Sequence, residues 1–184
     1  MSYFVLLLGV ALFAGAHWFK RLAPDARARL GQPGKGLVSL LLLAAIILMV
    51  IGYRNAEVVN IWEPPDALKH ITNLLVLIGF WLFALSVIPG RISARVRHKQ
   101  LAGVKAWALG HLLANGDLAS ILLLGGMLGW AVGSVILINR AQPAWDHPAD
   151  ASVRNDAIAL GAGLAAYVLV AFIHNWLGVY PFPF

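Results

Sequence analysis

Six long apolar blocks separated by short polar connectors constrain this chain more than any other feature: Tyr3–Phe19, Leu37–Tyr53, Ile71–Ile88, Leu101–Ala114, Leu118–Ile138 and Ala157–Trp176. Five of them reach the roughly 17–25 residues that a helix needs to cross the hydrocarbon core of a bilayer. Inside that core a peptide group finds no water, so such blocks must satisfy their own backbone as helices. The expected fold class is all-α: a polytopic membrane helical bundle of about six transmembrane helices, forming a single integral membrane domain over residues 1–184. The fourth block, at 14 residues, leaves three alternatives open: an earlier start within Ser93–Gln100, a tilt, or a re-entrant piece. Composition agrees, since 12% of the residues are charged where a soluble domain carries about 25%. The chain has no cysteine, which excludes disulfide frameworks, thiolate metal sites, iron–sulfur clusters and cysteine nucleophiles together.

Charge placement gives an orientation. No Lys or Arg precedes the first block and no small-residue cleavage pattern follows it, so it is read as a retained span rather than a signal peptide. Lys20, Arg21, Arg27, Arg29 and Lys35 follow the first block, Arg91, Arg95, Arg97 and Lys99 the third, and Arg140 and Arg154 the fifth. The opposite side holds only Arg54 and Lys69, in a loop that also carries Glu57, Glu63 and Asp66. By the positive-inside rule the basic loops are cytoplasmic and both termini face away from the cytoplasm. The net charge of +6 does not point to nucleic acid, because the cations border spans instead of forming a basic face with stacking aromatics. Membrane lipids are the expected partner, each such cation being worth about 1 kcal/mol near anionic head groups.

Connectors refine the segmentation. Gln32-Pro33-Gly34, Glu63-Pro64-Pro65-Asp66 and Pro89-Gly90 break the chain between blocks. Asn115-Gly116-Asp117 predicts a tight helical hairpin over Trp107–Ser120, with Gly116 left-handed at a helix end and Asp117 capping the next helix. Gly125, Gly126, Gly129 and Gly133 fall close to one stripe of the fifth block, where a second backbone or a flat ligand could approach closely.

Polar side chains at membrane depth are where chemistry is sought, and histidine dominates them. His70 and His147 sit in polar connectors and read as solvated. His17 and His98 come out near the cytoplasmic face, His111 and His174 near the opposite one. His98 and His111 are separated by about 20 Å if the segment between them is helical, so they cannot share one metal. Two pairs follow, His17 with His98 and His111 with His174. Axial histidines from different helices could hold a haem, and the competing reading gives each imidazole a hydrogen bond to neighbouring backbone or lipid phosphate.

The run WALGHLLANGDLAS over Trp107–Ser120, preceded by Arg97-His98, resembles the central signature of the NnrU family of bacterial membrane proteins. A first block ending in histidine before a basic loop, and a last block ending His174-Asn175-Trp176-Leu177-Gly178-Val179 before a proline, fit that family as well, so the resemblance covers essentially the whole chain. The family is named for an association with nitrite and nitric oxide reduction gene clusters and is related to the plastid cis-zeta-carotene isomerase, a membrane enzyme similar in its Arg-His-Pro segment and its use of haem b. The resemblance implies a bacterial cytoplasmic (inner) membrane protein with periplasmic termini, haem b as cofactor, and His17 and His98 as iron ligands with His111 and His174 as the alternative pair. It also implies a hydrophobic polyene or quinone-like substrate, and Arg95 or Arg97 as a partner of the haem propionates. Where the family pattern has proline after the second histidine, this chain has Lys99.

Other constellations are thin. His111, Asp117 and Ser120 are the residue types of a hydrolase triad, but no nucleophile elbow accompanies them. Trp18, Trp62, Trp145 and Trp176 lie near block ends and read as interfacial belt residues; Trp81, Trp107 and Trp130 lie deeper. Two function classes follow: a haem-dependent cis–trans isomerase or redox enzyme working on a hydrophobic substrate, and a non-catalytic accessory protein for nitrite or nitric oxide reduction.

Overall fold

In hydrocarbon an open strand would leave its edge amides unpaired, and the apolar blocks fold as helices. The computed structural model describes residues 1–145 and 152–182. Among them run α1 (Ser2–Leu22), α2 (Pro24–Arg29), α3 (Pro33–Arg54), α4 (Ala67–Val87), α5 (Lys99–Ala114), α6 (Leu118–Ala141) and α7 (Val153–Trp176), with a 3-10 turn at Ser93–Arg95 and no β-strand among the described residues. Helices α1, α3, α4, α6 and α7 are long and apolar enough to cross a membrane. Only 17–22% of each of these spans is buried, and α3 alone exposes Leu40, Leu43, Ile46, Ile47, Val50 and Ile51. A surface of that kind suits lipid and not water; this is the architecture of a multi-pass membrane protein.

Helix ends run past the apolar blocks into polar sequence. Helix α3 opens at Pro33, whose fixed φ and missing N–H suit a first helical turn. Helix α5 opens at Lys99, inside the Ser93–Gln100 segment, and its 16 residues span about 24 Å, short of the roughly 30 Å core.

The chain divides into two compact units. The first, Met1–Glu63 with Gly116–Ala141, holds α1, α2, α3 and α6. Small residues set its packing. A Cβ on Gly52 would lie 2.4 Å from the Leu6 amide nitrogen and one on Gly9 2.7 Å from that of Met49, so α1 and α3 run antiparallel with their backbones nearly touching. Gly126 faces Val10 and Gly133 faces Trp18, so α6 runs parallel to α1. Leu6, Val10, Met49 and Ala119 form the buried core between them. Lys20, Arg21, Arg27, Arg29, Lys35 and Arg140 therefore share one end of this unit and Arg54 takes the other.

The second unit is Pro64–Asn115 with Gln142–Phe184, and α4 is its centre. Thr72 Oγ1 donates to the Gly110 carbonyl at 2.7 Å, and a Cβ on Gly103 would stand 2.9 Å from the Gly79 carbonyl oxygen. One on Gly163 would stand 2.8 Å from Trp81 Cα, so α5 and α7 both run antiparallel to α4. Asp156, in the first turn of α7 and 8% exposed, accepts from the Arg91 N–H at 3.0 Å and the Ile92 N–H at 3.1 Å. Asn155 Nδ2 donates to the Pro89 carbonyl at 3.0 Å. The turn after α4 is thereby tied to the start of α7, at the end that carries Arg91, Arg95, Arg97, Lys99 and Arg154.

One expectation about the Asn115–Asp117 connector needs correction. Asn115 closes the chain stretch of one unit and Gly116 reopens the other, with α5 packing on α4 and α6 on α1. Gly116 is not left-handed, since positive φ among the described residues is confined to Gly31 and Gly178. Close approach requires it instead: a Cβ would fall 1.9 Å from the Trp62 carbonyl oxygen, where the Ile61 N–H reaches the Gly116 carbonyl at 2.9 Å. Asp117 does cap α6, its Oδ1 accepting from the Ser120 N–H at 2.9 Å. The glycine stripe splits: Gly126 and Gly133 are covered by α1, while nothing lies within 4 Å of a Cβ on Gly125 or Gly129.

Candidate functional site

An imidazole on a helix can turn Nδ1 back toward the carbonyl one turn earlier, and three histidines do so. Nδ1 lies 2.9 Å from the Phe13 oxygen in His17, 2.9 Å from the Trp107 oxygen in His111 and 2.8 Å from the Val170 oxygen in His174. A carbonyl only accepts, so Nδ1 carries the proton and the neutral ring keeps its lone pair on Nε2. A metal-binding histidine needs that tautomer, fixed by a second partner.

His17 belongs to the first unit, near its basic end. It is exposed and packs against Phe13 (centroids 4.3 Å apart) and edge-on against Trp130 (4.8 Å). Trp130 is 9% exposed, and its buried Nε1 has no hydrogen-bond acceptor, an orphaned donor beside an imidazole. Trp18 is no mere belt residue: it donates to Ser134 at 2.8 Å and covers Gly133.

His111 and His174 belong to the second unit, near the ends of α5 and α7 opposite the end that carries Arg91, Arg95, Arg97, Lys99 and Arg154. The Trp107 ring lies 5.3 Å from that of His111, and Asn115 Nδ2 donates to the His111 carbonyl at 2.8 Å. In the same unit Tyr167 O–H donates to Asn73 Oδ1 at 2.9 Å, a pair on α7 and α4 that sequence reasoning missed. Its only signal was an amide and a phenol inside apolar blocks.

His98, half-buried, is the residue before α5. Lys99 takes the first helical position, one that proline also favours. Its ammonium donates to the Ser93 carbonyl at 3.1 Å and the Val96 carbonyl at 3.3 Å, which holds the turn by hydrogen bonds. His98 lies in the second unit and His17 in the first. The Arg97 guanidinium donates to the carbonyls of Gln142, Pro143 and Ala144, so a propionate would have to replace those bonds. His70 is exposed next to the Asp66–Lys69 ion pair (2.8 Å), where the Lys69 ammonium holds the Asp66 carboxyl below its usual range. His147 lies outside the described residues. The triad types do not assemble: Ser120 donates to Asp117 Oδ2 at 2.5 Å and accepts from Tyr53 O–H at 2.8 Å, within the first unit, while His111 is in the second.

Among the described residues no three His, Asp or Glu side chains gather into a metal-ion cage. A porphyrin iron needs at most two protein donors, because the macrocycle supplies four. The donor chemistry fits that demand: imidazoles with Nδ1 on a backbone carbonyl and Nε2 left for a ligand, with Phe13 and Trp130 against His17 and Trp107 against His111.

The family model described as NnrU protein matches residues 5–181. No curated protein and no solved structure matches the chain.

Proposed function

This chain belongs to the NnrU protein family, and we propose from that premise that it is a b-type haem-binding protein of the bacterial inner membrane, acting on a hydrophobic substrate of polyene or quinone-like kind. The observation that carries the reading is the shared setting of His17, His111 and His174, each with Nδ1 bound to the carbonyl four residues back and Nε2 left as the donor. His111 and His174 are the pair that lies within one unit; His17 with His98 is the pair implied by the resemblance to the isomerase. Haem bound there would supply electron-transfer or Lewis-acid chemistry to an apolar molecule. The chain's own part is to fix the imidazoles: the Trp107 and Val170 carbonyls set the tautomers, and the Trp107 ring limits rotation of His111.

The test is an absorption spectrum of the detergent-purified protein from haem-replete cells, oxidised and then reduced with dithionite. A Soret band that shifts on reduction is expected. A colourless, folded protein overturns the reading and leaves the accessory role in nitrite or nitric oxide reduction in its place.

The orientation belongs to the same proposal. Eleven Lys or Arg flank spans on one side against two on the other, so both termini are periplasmic. Alkaline phosphatase fused after Phe184 is expected to be active and a fluorescent protein at the same place dark; the reverse pattern refutes the topology.

A further inference from the structure

Helix α7 ends in a device that turns the chain back on itself. The Val179 N–H bonds the His174 carbonyl at 2.9 Å and the Gly178 N–H the Asn175 carbonyl at 3.1 Å, with Gly178 at φ +81°. This is a Schellman stop, and its left-handed position is one that glycine alone adopts without strain. The returning segment lays the Pro181 carbonyl 2.9 Å from Asn73 Nδ2 and the Phe182 ring 6.4 Å, edge-on, from that of Tyr167. Tyr167 donates to Asn73 Oδ1 and meets Phe80 with centroids 6.3 Å apart. Asn73 thus presents one amide N–H beside Tyr167, whose ring meets those of Phe80 and Phe182, in an apolar span where a donor must find an acceptor. What meets it now is the Pro181 carbonyl next to the Phe182 ring, with Phe182 still 49% exposed.

We propose that Asn73 and Tyr167 form a binding site for an apolar, carbonyl-bearing molecule, either a quinone ring or an acyl ester, and that Gly178–Phe182 is a strap occupying this site until the ligand displaces it. Asn73 donates to the ligand carbonyl, Tyr167 holds the amide in the orientation that makes this possible, and Phe80 flanks the ring. Neither residue is an iron ligand, so the inference stands whether or not haem is bound.

Equilibrium dialysis of the full chain in detergent, with decylubiquinone and separately with dioctanoylphosphatidylcholine, tests it. Gly178→Val places a β-branched residue at positive φ and unseats the strap, so about tenfold tighter binding of one probe is expected; the probe that gains identifies the source of the carbonyl. Adding Asn73→Leu or the conservative Tyr167→Phe to Gly178→Val is expected to remove the gain. Because the chain has no cysteine, a nitroxide on Phe182→Cys reports the strap alone, and saturating probe is expected to mobilise it. Equal dissociation constants for wild type and Gly178→Val, a gain that survives Tyr167→Phe and Asn73→Leu, or a label indifferent to bound probe would each overturn the proposal.

Discussion

Replacing His111 by alanine is expected to abolish the low-spin b-type spectrum of the purified protein, and His174→Ala to do the same, while His17→Ala and His98→Ala leave it in place. Loss of an outer partner of a metal ligand costs about 10–100-fold in affinity. Loss of the ligand itself therefore has to cost more, and haem retention should fall by about 100-fold or beyond. The physical ground is that these two imidazoles lie in one unit and are each anchored by a backbone carbonyl of their own helix, whereas His17 and His98 belong to different units. A second measurement separates ligation from folding: circular dichroism and monodisperse elution should be unchanged in both variants, since Trp107 and Val170 keep their helical carbonyl bonds without the imidazole. A spectrum lost in His17→Ala and kept in His111→Ala would move the iron to His17 with His98 and leave His111 and His174 as a polar cluster.

The helices were legible because a hydrocarbon solvent permits an apolar block little else. Their ends were less so. Apolarity stops at Leu37, yet α3 begins at Pro33, since hydrogen bonding continues into the head-group zone where polar residues such as Lys35 are welcome. The helix of the fourth block starts at Lys99, inside the Ser93–Gln100 segment, where the Lys99 ammonium gathers the Ser93 and Val96 carbonyls.

Contacts between residues far apart in sequence could not be read locally. Asn115-Gly116-Asp117 carries every mark of a turn, and Asp117 caps as such a residue should. What Gly116 answers to is Trp62, more than fifty residues earlier. A glycine needed for approach and a glycine needed for positive φ look alike in sequence; among the described residues Gly31 and Gly178 are the ones whose φ is positive. The histidines of the site were legible as polar residues at membrane depth, but not their i−4 anchoring. The Asn73–Tyr167 pair carried no pattern at all, because neither residue has a characteristic spacing to the other.

Asp156 is the clearest case of a residue that reads as connector and acts as a joint, and its replacement by alanine is expected to be among the most destabilising single changes in the chain. Its carboxylate takes the N–H groups of Arg91 and Ile92, and Gly90 lies so close that a Cβ there would reach within 2.1 Å of Oδ1. Hydrogen bonds to a buried charged acceptor are each worth about 1.5–3 kcal/mol, so Asp156→Ala should lower resistance to unfolding in mixed detergent by about 3–4 kcal/mol. Asp156→Asn keeps one carbonyl oxygen but turns an N–H₂ toward the second donor, and should fall between the two. Gly90→Ala should expel the carboxylate and also press on the Asp156 backbone nitrogen, 2.7 Å from the new Cβ, so it is expected to destabilise even when combined with Asp156→Ala. A stable Asp156→Ala protein would mean that the turn after α4 holds itself and that the carboxylate merely lies against it.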